Sequence, residues 1–83
     1  MWRVTKVRAL PGLRLEVEFA DGLRGVLEYS ERLRGPMLEP LRDPERFAEV
    51  ALDEDGVVCW PNGADLAPDA MYERLKAAGS AAR

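Results

Sequence analysis

The clearest pattern along the chain is the alternation Leu13-Arg14-Leu15-Glu16-Val17-Glu18-Phe19, apolar at every second position. It predicts a half-buried antiparallel strand. Residues 2–9, rich in β-formers, predict a strand before it, joined through Leu10-Pro11-Gly12-Leu13 as a type II turn with Gly third. Ala20-Asp21-Gly22 is a hairpin signal. A two-residue loop would set Leu15 opposite Glu28. A three-residue loop, with Gly22 left-handed, pairs Phe19 with Leu23, Val17 with Gly25, Leu15 with Leu27 and Leu13 with Tyr29, all on one face. The other face then gains Glu18 opposite Arg24 and Arg14 opposite Glu28, each pair contributing ~0.2–1 kcal/mol. A slip of one residue would turn the apolar set to solvent, so the three-residue loop is expected.

The middle is less regular. Ser30-Glu31-Arg32-Leu33-Arg34 predicts one helical turn capped by Ser30 and broken by Gly35-Pro36, with Met37 and Leu38 packed inward. Asp43-Pro44-Glu45-Arg46-Phe47 carries an N-cap, a proline at the first helical position and an early acid, hence another short turn anchored by Phe47. Residues 49–52 predict a strand, Asp53-Glu54-Asp55-Gly56 a tight turn, and residues 57–60 its hairpin partner. Trp60-Pro61-Asn62-Gly63 fits a type I turn. A final helix starts at Pro68, with Asp69 in its first turn, Met71, Tyr72, Leu75 and Ala78 on one face, and Gly79 as its end. The expectation is an α+β domain over residues 1–79: a small antiparallel sheet of about five strands, short helical turns in the middle, a C-terminal helix, and a flexible tail over 80–83.

Composition narrows the chemistry. At 83 residues the chain has room for one small domain without deep clefts. The absence of histidine removes Ser-His-Asp and Cys-His catalysis and every histidine metal ligand; with Cys59 as the single cysteine, neither an internal disulfide nor a zinc–thiolate cluster can form. No metal and no cofactor is expected. No apolar run approaches a membrane span, and the opening residues lack the apolar stretch of a signal peptide, so a cytoplasmic location is expected. Ten arginines against two lysines, with no isoleucine or glutamine, resemble a genomic composition bias and carry little functional weight. The net charge of −3 is uneven: residues 53–69 hold five acids and no base, which leaves +2 for the rest. Such a segment suits a cation or a basic partner, although Asp53-Glu54-Asp55-Gly56 is also an ordinary solvated turn. As a calcium loop it lacks the alternating oxygen ligands and has Ala64 where the closing glutamate belongs.

Other candidates have simpler structural readings. Cys59 has no histidine to activate it and fits as buried filler. Asp65 and Asp69 could pair for acid–base work, but capping the final helix explains them better. Tyr29 and Tyr72 fit the core edge with the hydroxyl in water.

Three strings, Phe19-Ala20-Asp21-Gly22, Leu41-Arg42-Asp43-Pro44-Glu45-Arg46-Phe47 and Trp60-Pro61-Asn62-Gly63-Ala64-Asp65, followed by Pro68 and Met71-Tyr72, carry a resemblance. In order and spacing the chain resembles the small bacterial domain-of-unknown-function family 2442, and the tryptophan string is the most specific piece. The resemblance implies an α+β domain with a small antiparallel sheet and no catalytic activity or cofactor. Some members of the family carry an added helix-turn-helix; the residues after Tyr72 are too few for one, which speaks against direct DNA binding by this chain. Others are similar to the antitoxin half of paired small genes.

The expected function is therefore a non-enzymatic protein-interaction module, antitoxin-like, whose partner is a small companion protein or a further copy of the chain. The candidate surface is the loop of Trp60, Pro61, Asn62, Gly63 and Asp65, with Tyr72. Two readings stand beside it: an accessory DNA-binding or transcription-regulatory domain acting as an oligomer, and a small enzyme using Asp65, Asp69 and Tyr72.

Overall fold

The alternation over residues 13–19 becomes the central strand of a three-stranded sheet in the computed structural model, which describes residues 2–82. Strands β1 (Val4–Leu10), β2 (Arg14–Phe19) and β3 (Arg24–Glu28) pair antiparallel in sequence order. The β2–β3 hairpin has the expected three-residue loop. Phe19 N–H donates to the Leu23 carbonyl at 2.7 Å, Gly22 lies at φ +95°, and Val17 faces Gly25, Leu15 faces Leu27, Glu18 faces Arg24 and Arg14 faces Glu28. Leu15, Val17 and Phe19 are almost wholly buried, while Glu16 on the opposite face forms an exposed ion pair with Arg8 at 2.8 Å. The preceding turn is one residue longer than expected, with Leu10 paired to Arg14. Gly12 has the positive φ of a type II turn (+84°), but Leu13 is also left-handed (+58°), so β2 starts at Arg14. Leu13 keeps its place across from Tyr29, whose N–H donates to the Leu13 carbonyl at 2.9 Å.

The helical turn expected from Ser30 does not form. Residues 29–32 make a β-turn, closed by Arg32 N–H on the Tyr29 carbonyl at 3.0 Å. Arg34 N–H bonds the Arg32 carbonyl instead of reaching back to Ser30, and Pro36 has no N–H to propagate a helix. Leu33 is thereby driven into the core. Leu38 packs against that core, but Met37 does not: it is 47% exposed. A 3₁₀ turn over Glu39–Arg42 buries Leu41. The short helix α1 (Pro44–Phe47) follows as expected, with the Asp43 carboxylate accepting Glu45 N–H at 3.0 Å and Phe47 buried.

The rest of the sheet structure corrects the expectation of one five-stranded sheet. Strands β4 (Ala51–Leu52), β5 (Val58–Cys59) and β6 (Asp65–Leu66) form a second antiparallel three-stranded sheet in that order. The unforeseen member is β6. The turn at Trp60 returns the chain along β5, with Trp60 N–H on the Ala64 carbonyl at 2.9 Å, before the helix begins. Two residues are too few to show a period in sequence. Between β4 and β5, the Asp53 carboxylate accepts the N–H groups of Asp55 (2.8 Å) and Val57 (3.0 Å), closing the expected tight turn. Val4 N–H on the Gly56 carbonyl at 3.0 Å joins the two sheets.

Helix α2 (Pro68–Ala82) packs Met71, Tyr72 and Leu75 into the single core. It continues past Gly79, which therefore does not end it. The side chain of Ala78 lies outside the described residues, as do those of the expected flexible tail over 80–83.

Candidate functional site

The 60–65 loop is built from Trp60 outwards. Its indole is buried against Phe47, ring centroids 5.8 Å apart, and its Nε1–H donates to the Phe47 carbonyl at 2.9 Å. The one polar atom of the indole is thus satisfied where burial would otherwise make it costly. Pro61 and Asn62 turn the chain, Gly63 N–H bonds the Trp60 carbonyl at 3.0 Å, and Gly63 takes the left-handed conformation at φ +93°. Asn62 works at both ends of its amide. Its Oδ1 accepts Ala64 N–H at 3.0 Å and its Nδ2 donates to the Met37 carbonyl at 2.9 Å. That second bond ties the loop to the irregular 35–38 segment, where Met37 is exposed. Beside the loop lies a depression of about 210 Å³ lined by Leu41, Arg46, Glu49, Trp60, Pro61 and Asn62.

Asp65 does not cap the final helix. It belongs to β6, opposite Cys59, and is exposed. Asp69 does lie in the first helical turn, exposed, as expected. Cys59 is a free, half-buried thiol on β5. No group of three or more cysteines and carboxylates that could hold a metal ion occurs among the described residues.

Tyr72 stands apart from the loop, in a cluster of its own. Its ring stacks on Trp2, centroids 3.8 Å apart and planes 4° from parallel, and meets Phe19 edge-on at 5.0 Å. The hydroxyl, expected in water, instead donates to Oδ2 of Asp21, while Oδ1 of the same carboxylate accepts Leu23 N–H at 3.0 Å. The Tyr72 bond, followed by the Leu23 bond, holds the Asp21 carboxyl below its ordinary value. The same bond to a carboxylate pushes the Tyr72 phenol up. Tyr29 also departs from the expected edge position. Its ring is buried beneath the Arg74 guanidinium, 4.9 Å from the ring centroid, and burial raises its phenol pKa.

The cluster was missed because its members are remote in sequence, Tyr72 and Asp21 being 51 positions apart. The signal present was Asp21 itself, an acid at a hairpin tip two residues after Phe19. Residues 65, 69 and 72 do not assemble into an acid–base constellation, since the Tyr72 hydroxyl is taken up by Asp21.

No helix among the described residues is long and apolar enough to cross a membrane. Comparison with curated proteins and with solved structures finds no match. One family model, described as "Protein of unknown function (DUF2442)", matches residues 4–77. With most of its length covered by that match, the chain belongs to the DUF2442 family of proteins of unknown function.

Proposed function

We propose that this domain is a non-enzymatic protein-interaction module, the antitoxin-like member of a two-gene module, which acts by covering a small basic companion protein. The observation that carries the reading is the charge distribution. Residues 53–69 hold five acids and no base, and all five side chains are exposed. Exposed charge with a local excess of one sign speeds encounter with a partner of the other and discourages wrong partners. The polar groups of the 60–65 loop support a scaffold role over a catalytic one, because Asn62 and the Trp60 indole spend their hydrogen bonds within the fold.

The test is the mass of the protein purified from its own host at low salt. A stoichiometric complex with a small basic protein, dissociating as salt is raised, is the expected result. Recovery as a lone chain under those conditions overturns the reading.

A further inference from the structure

Trp2 leaves 36% of its surface exposed, although its ring is held in place by the stack on Tyr72. It lines a groove of about 860 Å³ with Arg3, Asp55, Val57, Pro68 and Asp69. Three parts of the fold meet there: the lead into β1, the β4–β5 turn and the first turn of α2. Val57 and Pro68 are half-buried and add apolar wall to the indole, whereas Asp55 and Asp69 are exposed carboxylates. The single base of the lining, Arg3, donates its Nη2 to the neutral Glu54 carbonyl at 3.0 Å. Among the described residues neither carboxylate has a base within ion-pair distance.

An aromatic face with two carboxylates beside it matches one side chain closely. A guanidinium stacks its plane on an indole and offers N–H groups in its own plane to carboxylates. A lysine ammonium, compact and strongly hydrated, uses the indole less well. The platform is also preorganised: Tyr72 supports Trp2 from beneath and is itself tied to Asp21. Little ordering cost then falls on binding. We infer that this groove is the docking site for an arginine-bearing basic segment of a partner protein, the arginine stacking on Trp2 between Asp55 and Asp69. The inference rests on the proposed role as cover for a basic companion and names the surface and the side chain that it recognises.

The probe is a fluorescein-labelled oligoarginine peptide titrated with the full chain at low salt, with an oligolysine peptide of equal length for comparison. Oligoarginine is expected to bind more tightly than oligolysine and to shift the Trp2 indole N–H resonance. The double variant Asp55→Asn/Asp69→Asn, whose changes are at exposed positions, is expected to weaken oligoarginine binding about tenfold. Trp2→Ala is expected to do the same, with its folding checked by its thermal transition. The variant Glu31→Gln/Glu45→Gln removes equal charge elsewhere and is expected to leave binding within about twofold. Unchanged binding in the Asp55/Asp69 variant, or equal weakening in the Glu31/Glu45 variant, overturns the groove and leaves the basic-companion reading standing. Failure of the unaltered chain to bind oligoarginine overturns the groove, and failure to bind either peptide overturns both.

Discussion

The Tyr72 hydroxyl donates to the Asp21 carboxylate and so fastens the tip of the β2–β3 hairpin to the first turns of the C-terminal helix. The same carboxylate accepts Leu23 N–H, so one side chain both shapes the hairpin loop and anchors the helix.

This bond makes stability depend on pH at both extremes. The folded-state pKa of Asp21 lies below its ordinary 3.8, so its contribution is present above that value and is lost as pH falls through the folded pKa. The folded-state pKa of Tyr72 lies above its ordinary 10.0, so its contribution is present below that value and is lost as pH rises through the folded pKa. Tyr72→Phe is therefore expected to lower Tm at neutral pH, with the difference from the parent shrinking in strong acid and in strong alkali. Thermal scans of both chains across pH check this; a constant difference would show that Asp21 and Tyr72 are not coupled.

Two left-handed glycines should respond unequally to a methyl group. At Gly22, φ +95°, an added Cβ meets nothing within 4 Å, so Gly22→Ala should cost only the backbone term of about 1 kcal/mol. At Gly56, φ +78°, the same atom would press on Arg3 Cγ and come within 3.0 Å of the Val4 carbonyl oxygen, where the two sheets join. Gly56→Ala should cost the backbone term plus about 1–3 kcal/mol of overpacking. Urea denaturation of the two variants gives the order, and an equal cost would show that the sheet junction yields freely.

Gly25 tests the packing of the helix on the first sheet. A Cβ there would lie 2.6 Å from Leu75 Cδ1, so Gly25→Ala should destabilise although alanine is no worse than glycine in a strand. Leu75→Val in the same chain should recover part of the loss, with a coupling of about 0.5–3 kcal/mol. A double-mutant cycle in urea measures it. Additive costs would place the conflict elsewhere.

These contacts mark what was legible in the sequence. The β2–β3 register was, because Leu15, Val17 and Phe19 hold a strict period of two and, of a two- and a three-residue loop, the three-residue one alone places them all opposite apolar or glycine partners. The Asp43-Pro44 start of α1 was, because a cap needs only neighbouring residues. The second sheet was not: Asp65 and Leu66 make a two-residue strand whose pairing is set by the turn at Trp60. In the candidate site, the loop could be found from its turn residues, whereas the destinations of its side chains could not. The bond from Asn62 to the Met37 carbonyl and the bond from Tyr72 to Asp21 join segments with no local signature in common.

The 60–65 loop separates structural from binding roles residue by residue. Trp60 is 4% exposed, packs on Phe47 and donates a buried hydrogen bond, so Trp60→Ala should cost about 3–5 kcal/mol. A domain this small has roughly 5 kcal/mol to lose, and the variant is expected to be largely unfolded at 37 °C. Asn62→Ala removes two hydrogen bonds that hold the turn and tie it to Met37, and should cost about 1–2 kcal/mol. Asp65→Asn behaves differently. Asp65 caps nothing and sits exposed on β6, so the change should stay within about 0.5 kcal/mol. Measuring Tm and companion binding together on these variants decides what the loop is for. Loss of stability in Asn62→Ala, with binding retained at low temperature, marks the loop as scaffold. Unchanged stability with binding abolished in either Asn62→Ala or Asp65→Asn would instead make the loop the contact surface. The scaffold outcome is expected, because both ends of the Asn62 amide already have partners within the chain.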